Sequence, residues 1–317
     1  MPVALVCASH TPLMERGPAG PETRSRVLGA FRDLAGFVRD FRPDTVIQFA
    51  PDHFNGFFYD LMPSFCVGAG AVSLGDWGGS TGAIEVPEDF ALALVEHLRG
   101  EDFDVALSYR MPIDHGFVQI WDAMLGGFGS MPIVPIFVNA AAPPIPTYRR
   151  ARQLGESVGR FAARDSGRRV LLVASGGLSH DPPVPTMRDA PAEVRKRLID
   201  GRNPTPETRQ AREERVVEFG TLAAAGKGPC KPLNPEWDRD FLAVLRSGQV
   251  WRMDTLNTDA VRETAGRGGN EVLCWTAAFA ALSMAGPFVV EQSFYEAIPG
   301  WIAGFATMAA RQAEAVP

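Results

Sequence analysis

Histidine is scarce in this chain and is concentrated at turns. The 317 residues include five histidines. Four of them stand in loop-like settings beside Ser, Asp, Gly or Pro, and these are His10, His53, His115 and His180. Imidazole is the commonest ligand of transition metals and changes charge near neutral pH, so the four predict a metal site, an acid–base site or both. The fifth, His97, falls off the apolar face of its predicted helix and is expected on the solvated surface.

Short apolar runs of strand length alternate with helical patterns through the first half of the chain. The runs are Val3 to Cys7, Thr45 to Ala50, Val105 to Tyr109, Ile133 to Val138 and Val170 to Ala174. Between them, apolar residues recur at the helical period, as at Val27, Phe31, Leu34 and Val38. This alternation predicts an α/β fold, with a central, mostly parallel sheet flanked by helices.

The loop histidines lie beyond the carboxyl ends of predicted strands. His10 and His53 follow the first and second strands, and His115 and His180 follow the third and fifth. Ligands of open α/β sheets bind in the crevice outside these strand ends, so residues distant in sequence are expected to share one cleft. A histidine that is only hydrogen-bonded within its loop remains the alternative for any single one of them.

The chain changes character after the fifth strand. Residues 181–250 are rich in proline and charge and are expected to form a helical insertion within a single α/β domain of residues 1–286. Val272 to Ala285 is expected to be a buried helix. The C-terminal segment, 287–317, is too aromatic for a disordered tail and is expected to pack on the domain, where Phe294 to Phe305 would close over the cleft.

Composition excludes several classes of partner and location. A formal net charge of -6 and a pI near 5.5 give no basic surface for nucleic acid. The four cysteines are too far apart for a CxxC pair and are expected to be reduced thiols. The start of the chain lacks a signal-peptide pattern, and no apolar stretch reaches the ~20 residues of a membrane span, so a cytoplasmic location is expected.

A metal site of the type that activates O2 would also need an acid. Two histidines and one carboxylate, with positions left open, suit Fe(II). Glu271 is a candidate because the turn before it could direct its carboxylate into a cleft, although position alone favours an acid at a helix N-terminus with Asn270 as the cap. Asp114 could orient an imidazole or shape a turn, whereas Asp52 and Asp181 favour turns.

Several segments of the chain resemble the class III extradiol ring-cleavage dioxygenases. They are Pro51 to Pro63, Asp114 to Phe117, Gly176 to His180, Pro232 to Pro235 and Pro299 to Phe305. The resemblance covers essentially the whole chain in order, and the first segment is long enough to be specific. It implies an Fe(II)-dependent enzyme that uses O2 to open a catechol outside its two hydroxyls, with 2,3-dihydroxyphenylpropionate as the expected substrate. It also implies a homo-oligomer.

The resemblance assigns a role to each candidate residue. His10, His53 and Glu271 match the three ligands of the catalytic Fe(II), which reverses the preference that position alone gives for Glu271. His115 and His180 match the acid and base catalysts, and Asp114 matches the neighbour that tunes His115. His180 is expected to be the base and His115 the acid.

Other functions could use the same residues. A sibling dioxygenase would open another catechol or an aminophenol, and a zinc-dependent hydrolase would use a bound water as the nucleophile without needing oxygen. A binding protein would hold iron without consuming oxygen. Ser179 lacks the GxSxG setting of a hydrolase nucleophile, and no HExxH, P-loop or dinucleotide motif occurs.

The substrate pocket is less well defined by the sequence than the metal site is. Phe54, Phe57, Phe58 and Tyr59 follow a candidate ligand closely and could line the pocket or belong to the core. A propionate side chain would require an arginine or a lysine, and the sequence does not identify which one.

Overall fold

The computed structural model describes residues 3–129, 131–164 and 167–313. The strands in these ranges are β1 (Val3–Ala8), β2 (Thr45–Ala50), β3 (Phe65–Gly68), β4 (Ala71–Leu74), β5 (Thr81–Ile84), β6 (Ala106–Ser108), β7 (Met111–Ile113), β8 (Ile133–Val138), β9 (Val170–Ser175), β10 (Phe288–Ile298) and β11 (Ala303–Gln312). The helices are α1 (Leu13–Arg16), α2 (Pro21–Phe41), α3 (Glu88–Gly100), α4 (His115–Leu125), α5 (Tyr148–Arg164), α6 (Ala192–Asp200), α7 (Pro206–Ala224), α8 (Pro235–Arg246), α9 (Thr258–Ala265) and α10 (Val272–Ala285). None of these helices is long and apolar enough to cross a membrane.

The central sheet has a parallel middle. Its strand order is β10-β11-β1-β9-β2-β8-β3-β6. β1, β9, β2 and β8 run parallel to one another, and every residue of these four strands is buried. Burial on both faces is typical of parallel strands covered by helices, which explains their largely apolar sequences. The predicted α/β fold, with a mostly parallel sheet flanked by helices, is confirmed.

Helices cover both faces of this sheet. α5 and α10 pack on one face, where Gly155 and Gly159 let the two helices approach closely. A Cβ atom at these glycines would lie 2.0 Å and 2.2 Å from the carbonyl oxygens of Ala277 and Ala281. α2 and α4 cover the other face and bury large side chains, including Trp121. The strand ends are therefore held in a rigid frame.

A second, smaller sheet was not predicted. It has the order β5-β4-β7, with β4 antiparallel to β5 and parallel to β7. A turn of 3-10 helix, Asp76–Gly78, follows β4, and β7 leads into α4 at His115. His115 thus follows a strand of the small sheet, whereas the sequence had placed it beyond the run that forms β6.

The C-terminal segment is part of the sheet. β10 and β11 form an antiparallel hairpin, and β11 pairs with β1 so that Ala4 lies opposite Arg311. The turn between the two strands, Pro299–Trp301, reaches the cleft described below, but most of the hairpin does not. The last residues of the predicted segment, 314–317, lie outside the described residues.

The prediction of a solvated His97 is wrong. Its side chain keeps only 10% of its exposure, and its Nε2 lies 3.1 Å from the carbonyl oxygen of Ser157 on α5. α3 packs against α5 at this point, so a neighbouring helix covers a residue that lies off the apolar face of its own helix. His97 does not line the cleft that the other four histidines share.

Candidate metal and catalytic site

Three side chains converge beyond the carboxyl ends of β1, β2 and β9. The Nε2 atoms of His10 and His53 lie 3.3 Å apart, and Glu271 Oε1 lies 3.3 Å from His53 Nε2. Glu271 Oε2 lies 3.7 Å from His10 Nε2. Donor atoms bound to one transition-metal ion at about 2.1 Å lie roughly 3 Å from one another, so this spacing is close to that of a ligand set.

The elements bring these residues together from three parts of the chain. His10 and His53 stand just after β1 and β2, which are separated in the sheet only by β9. Glu271 ends a turn of 3-10 helix that leads into α10. Its Oε2 accepts a hydrogen bond of 3.0 Å from the backbone N–H of Gly177, in the loop after β9. Asn270 does not cap α10, because its side chain instead bonds Tyr148 and Thr258.

All four cleft histidines are held through Nδ1. His10 Nδ1 lies 2.9 Å from Ser175 Oγ, and His53 Nδ1 lies 3.0 Å from Asp114 Oδ2. His180 Nδ1 donates to the carbonyl oxygen of Leu178 at 3.0 Å. His115 Nδ1 lies 2.5 Å from Asp76 Oδ2. A partner on one ring nitrogen fixes the orientation of the ring, which leaves Nε2 to meet a ligand.

The partner of His115 differs from the one expected. Asp114 was expected to tune His115, but its Oδ2 lies 3.8 Å from His115 Nδ1 and accepts instead from the backbone N–H of His53 at 2.9 Å. Asp114 also caps α4 by accepting from the backbone N–H of Gly116. Asp76 takes the place beside His115, where it also accepts from the His115 backbone N–H at 2.8 Å. The geometry therefore links Asp114 chiefly to His53 and Asp76 to His115.

The sequence carries little sign of Asp76 as a functional residue. It lies in the turn after β4, where Gly75 and Trp77 both have a positive φ, of 63° and 55°. Only tertiary structure brings this turn against the start of α4. The other acids next to histidines behave more simply. Asp52 shapes the turn that the sequence predicted, by accepting from the backbone N–H groups of Asn55, Gly56 and Phe57.

His180 sits in a loop that is held tightly. Its Nε2 lies 3.0 Å from Glu271 Oε1. Gly268 packs against the ring so closely that a Cβ atom would lie 1.9 Å from His180 Nε2. On the other side of the loop, Ser179 donates through both its backbone N–H and its hydroxyl to buried Asp238, at 2.7 Å each. These contacts fix the ring beside the three converging side chains.

The electrostatics of the cleft couple acids to imidazoles. Burial lowers the pKa of His10 to about 3, so this imidazole is neutral, as a metal ligand must be. Burial also disfavours charge on His53, but the carboxylates of Asp114 and Glu271 outweigh it and hold its pKa well above the usual value. Burial would raise the pKa of Glu271, but the nearby imidazoles, His180 first among them, hold it well below the usual value.

His115 also lies close to this set. Donor atoms of His10, His53 and His115 lie within 4.8 Å of one another, as do those of Asp76, Asp114 and His115. The rings of His53 and His115 stack, with centroids 4.3 Å apart. On distance alone, His115 could replace Glu271 as a third ligand. A set of His10, His53 and Glu271 includes an anionic donor, whereas a set with His115 in place of Glu271 does not. His115 is also already bound to Asp76.

The side chains present fit a divalent transition metal. Two imidazole nitrogens and one carboxylate are the donors that suit Fe(II) in oxygen-activating sites, and here they are buried and oriented by further hydrogen bonds. Such a metal would take the place of the proton on His53, which now faces the Glu271 carboxylate. Calcium or magnesium would prefer oxygen donors.

A cavity of about 250 Å³ opens above these residues. Phe54 and Phe58 line it, whereas Phe57 stacks on Phe137 in the core with ring centroids 3.9 Å apart. Tyr59 does not line the cavity either, and its hydroxyl donates to Pro143. The aromatic run after His53 is thus divided between pocket and core. Trp77 and Trp301 add further aromatic surface to the cavity.

The region of this chain that matches known proteins includes every residue of the site. The model of the family described as the catalytic LigB subunit of aromatic ring-opening dioxygenase matches residues 4–306. A Cupriavidus pinatubonensis (strain JMP 134 / LMG 1197) protein named 2,3-dihydroxyphenylpropionate/2,3-dihydroxicinnamic acid 1,2-dioxygenase is 49% identical over 316 residues, 99% of each chain. A protein of the same name from Rhodococcus jostii (strain RHA1) is 48% identical over 305 residues, 96% of this chain and 97% of its own.

Proposed function

This chain belongs to the family of catalytic LigB subunits of aromatic ring-opening dioxygenases, and we propose that it opens the ring of 2,3-dihydroxyphenylpropionate with Fe(II) and O2. The relatives at 48% and 49% identity carry this substrate in their names. The observation that supports the proposal most strongly is the convergence of His10, His53 and Glu271 in a cavity that also holds His115 and His180.

We assign the metal to His10, His53 and Glu271. Two neutral imidazoles and a carboxylate leave positions free for the substrate and O2. When bound, Fe(II) would supply Lewis-acid activation of the catechol hydroxyls and the electron-transfer chemistry that O2 requires. Glu271 is preferred to His115 as the third ligand because Asp76 already engages His115, and because a carboxylate balances part of the charge of the ion.

We assign the role of the base to His180. Its Nδ1–H donates to Leu178, so the lone pair available for chemistry is on Nε2, beside Glu271. Once Glu271 binds the metal, His180 Nε2 would be free to accept the proton of a ring hydroxyl. A catecholate is a better electron donor than the neutral catechol, so this transfer prepares the ring for reaction with O2.

We assign the role of the acid to His115. The Asp76 carboxylate accepts from its Nδ1–H and so fixes the orientation of the ring, and Nε2 is left to face the cavity. As the acid, His115 Nε2 would donate a proton to oxygen during ring opening. Asp114, by holding His53, would keep a ligand in position and is a positioning residue.

The cavity walls would hold the aromatic ring flat and exclude water. Phe54 and Phe58 are buried, at 7% and 1% exposure, and Trp301 closes the cavity from the C-terminal hairpin. Apolar walls around a charged reaction centre strengthen its electrostatic interactions and protect reactive species from water.

Oxygen uptake tests the proposal directly. The protein is freed of metal, loaded with Fe(II) without oxygen and mixed with 2,3-dihydroxyphenylpropionate and O2, while the yellow ring-opened product is followed by absorbance. We expect consumption of O2 in proportion to product. Loading with Zn(II) is the matched control and should give no uptake. Absence of uptake with Fe(II), for this substrate and for other catechols, would refute the proposal.

A further inference from the structure

One wall of the cavity carries four arginines. The wall is formed by α6 and α7, which supply Arg197, Arg209, Arg212 and Arg215. Within the described residues, none of these four side chains forms an ion pair, whereas arginines nearby do. Arg202 pairs with Asp60 and Arg267 pairs with Asp181. We call Arg197, Arg209, Arg212 and Arg215 the arginine wall.

Arg212 is the member of this wall whose surroundings suggest a ligand most clearly. Burial, and after it the charge of Arg197, lower its pKa, and Arg209 acts in the same direction. A guanidinium keeps its charge in proteins, so this repulsion is not relieved by loss of a proton. It would be relieved by an anion bound between the guanidinium groups.

The acids that lie near the arginine wall are already engaged. Glu213, next to Arg212 in α7, accepts a hydrogen bond of 2.7 Å from Arg16. The charges of Asp52 and Asp76 also act on Arg212. However, Asp52 accepts from three backbone N–H groups, and Asp76 is bound to His115. Asp76, His115 and Arg212 line the same cavity, so the wall and the proposed proton donor share it.

We propose that Arg212, assisted by Arg197, binds the side-chain carboxylate of the substrate and so selects catechols that carry an acidic side chain. This inference rests on the proposed function and identifies the residue that would read the propionate group. A guanidinium can bind a carboxylate through two parallel hydrogen bonds, which gives both strength and direction. Leu198 and Val216 line the same cavity and would contact the methylene groups.

The test compares two substrates in the Fe(II)-loaded enzyme. One is 2,3-dihydroxyphenylpropionate, and the other is 3-propylcatechol, which replaces the carboxylate with an uncharged end. The variants are R212M, which keeps the apolar stem, and R212K, which keeps the charge but not the fork. R195M is the matched control, because Arg195 is an exposed residue of α6 that does not line the cavity.

We expect R212M to lower the ratio of kcat/KM for the acid to kcat/KM for 3-propylcatechol by about 10- to 100-fold, as loss of a charged hydrogen-bond partner implies. Most of the change should be in KM for the acid, and anaerobic titration should show weaker binding of that substrate. R212K should recover part of the ratio. R195M should keep the wild-type ratio.

The outcomes separate this inference from the proposed function. If the wild-type enzyme opens neither ring, the proposed function fails and the inference fails with it. If the wild-type enzyme opens the ring of the acid but R212M keeps the wild-type ratio, only the inference is refuted. Equal losses for both substrates also leave the ratio unchanged and would show that Arg212 is structural. Turnover of 3-propylcatechol by R212M shows that the variant is folded.

Discussion

The two sides of the cavity differ in whether their charged side chains have partners within the protein. One side carries the residues that we call the floor, which are His10, His53, His115, His180 and Glu271. Hydrogen bonds to neighbouring side chains and backbone hold each of them. On the arginine wall, four arginines line the cavity without an ion pair to any acid in the described part of the chain. The floor therefore holds its side chains in a fixed geometry, as a chemical reaction requires. Among the described residues the wall has unpaired cations, which the carboxylate of a substrate would pair with.

The two sides also differ in how they are supported. The floor is attached to β1, β2 and β9, whose residues are all buried, to α4, which begins at His115, and to α10, which packs closely on α5. The wall belongs to α6 and α7, where most residues are partly or fully exposed. Substitutions in the floor should therefore affect chemistry, and substitutions in the wall should affect the choice of substrate.

The largest effect is expected from the proton-transfer histidines of the floor. His180→Ala should lower kcat by about 10²- to 10⁴-fold, because general acid and base steps contribute roughly that much. His115→Ala should have an effect of the same size. Initial rates of O2 uptake by the Fe(II)-loaded variants measure the loss. His97→Ala is the control, since His97 lies outside the cavity. A kcat near the wild-type value in His180→Ala would remove this histidine from the mechanism.

A smaller effect is expected from the two acids that orient imidazoles, and it distinguishes their roles. Asp114→Asn should weaken Fe(II) binding by about 10- to 100-fold, because Asp114 holds a proposed ligand, His53. Asp76→Asn should lower kcat instead, with iron affinity retained, because Asp76 holds His115. Competition with a chelator gives the affinity, and O2 uptake at saturating iron gives kcat. The reverse pattern would return Asp114 to the role of tuning His115.

The smallest effect is expected at Asp181, in the loop between β9 and α6. Asp181 follows His180 and accepts hydrogen bonds from the Arg267 side chain and from the backbone N–H of Lys231. Burial opposes charge on Asp181, but these contacts lower its pKa from 3.8 to about 2. A lowered pKa in the folded state means that the interaction stabilises the protein above about pH 4 and is lost as the pH falls towards 2.

Thermal melting at two pH values measures this contribution. Asp181→Asn should melt below the wild type near neutral pH, and the difference should shrink at about pH 3. Glu263→Gln is the control, because the exposed pair of Glu263 with Lys231 should contribute little at either pH. A difference between Asp181→Asn and the wild type that does not change with pH would show that the carboxylate charge is unimportant there.

The main strands could be predicted from the sequence because their pattern is local. Ile133–Val138 and Val170–Ser175 are unbroken apolar runs, as buried parallel strands require. The small sheet could not be predicted in the same way. Its strand Thr81–Ile84 is short and partly exposed, and glycine interrupts it. β11 was missed because its alanines and glycine gain strand character only from pairing with β1 and β10.

The candidate site could also be predicted only in part from the sequence. Strand-end position was enough to group His10, His53 and His180, because parallel strands bring their carboxyl ends to one edge of the sheet. His115 joins them although it follows β7 of the small sheet. Strand-end position could not supply Glu271, whose setting before a helix is ordinary and whose role was implied by the family resemblance. It also missed Asp76, Ser175 and Arg212. Their contacts depend on how distant elements pack, and no spacing in the sequence records them.

Iron content is the most direct test of the central claim, which is that His10, His53 and Glu271 hold the metal while His115 and His180 transfer protons. Glu271→Ala and His115→Ala are purified, loaded with Fe(II) without oxygen, freed of excess iron and measured for iron per chain. We predict that His115→Ala retains close to one iron per chain and that Glu271→Ala retains very little. Retention of iron by Glu271→Ala together with its loss from His115→Ala would contradict the claim and make His115 the third ligand.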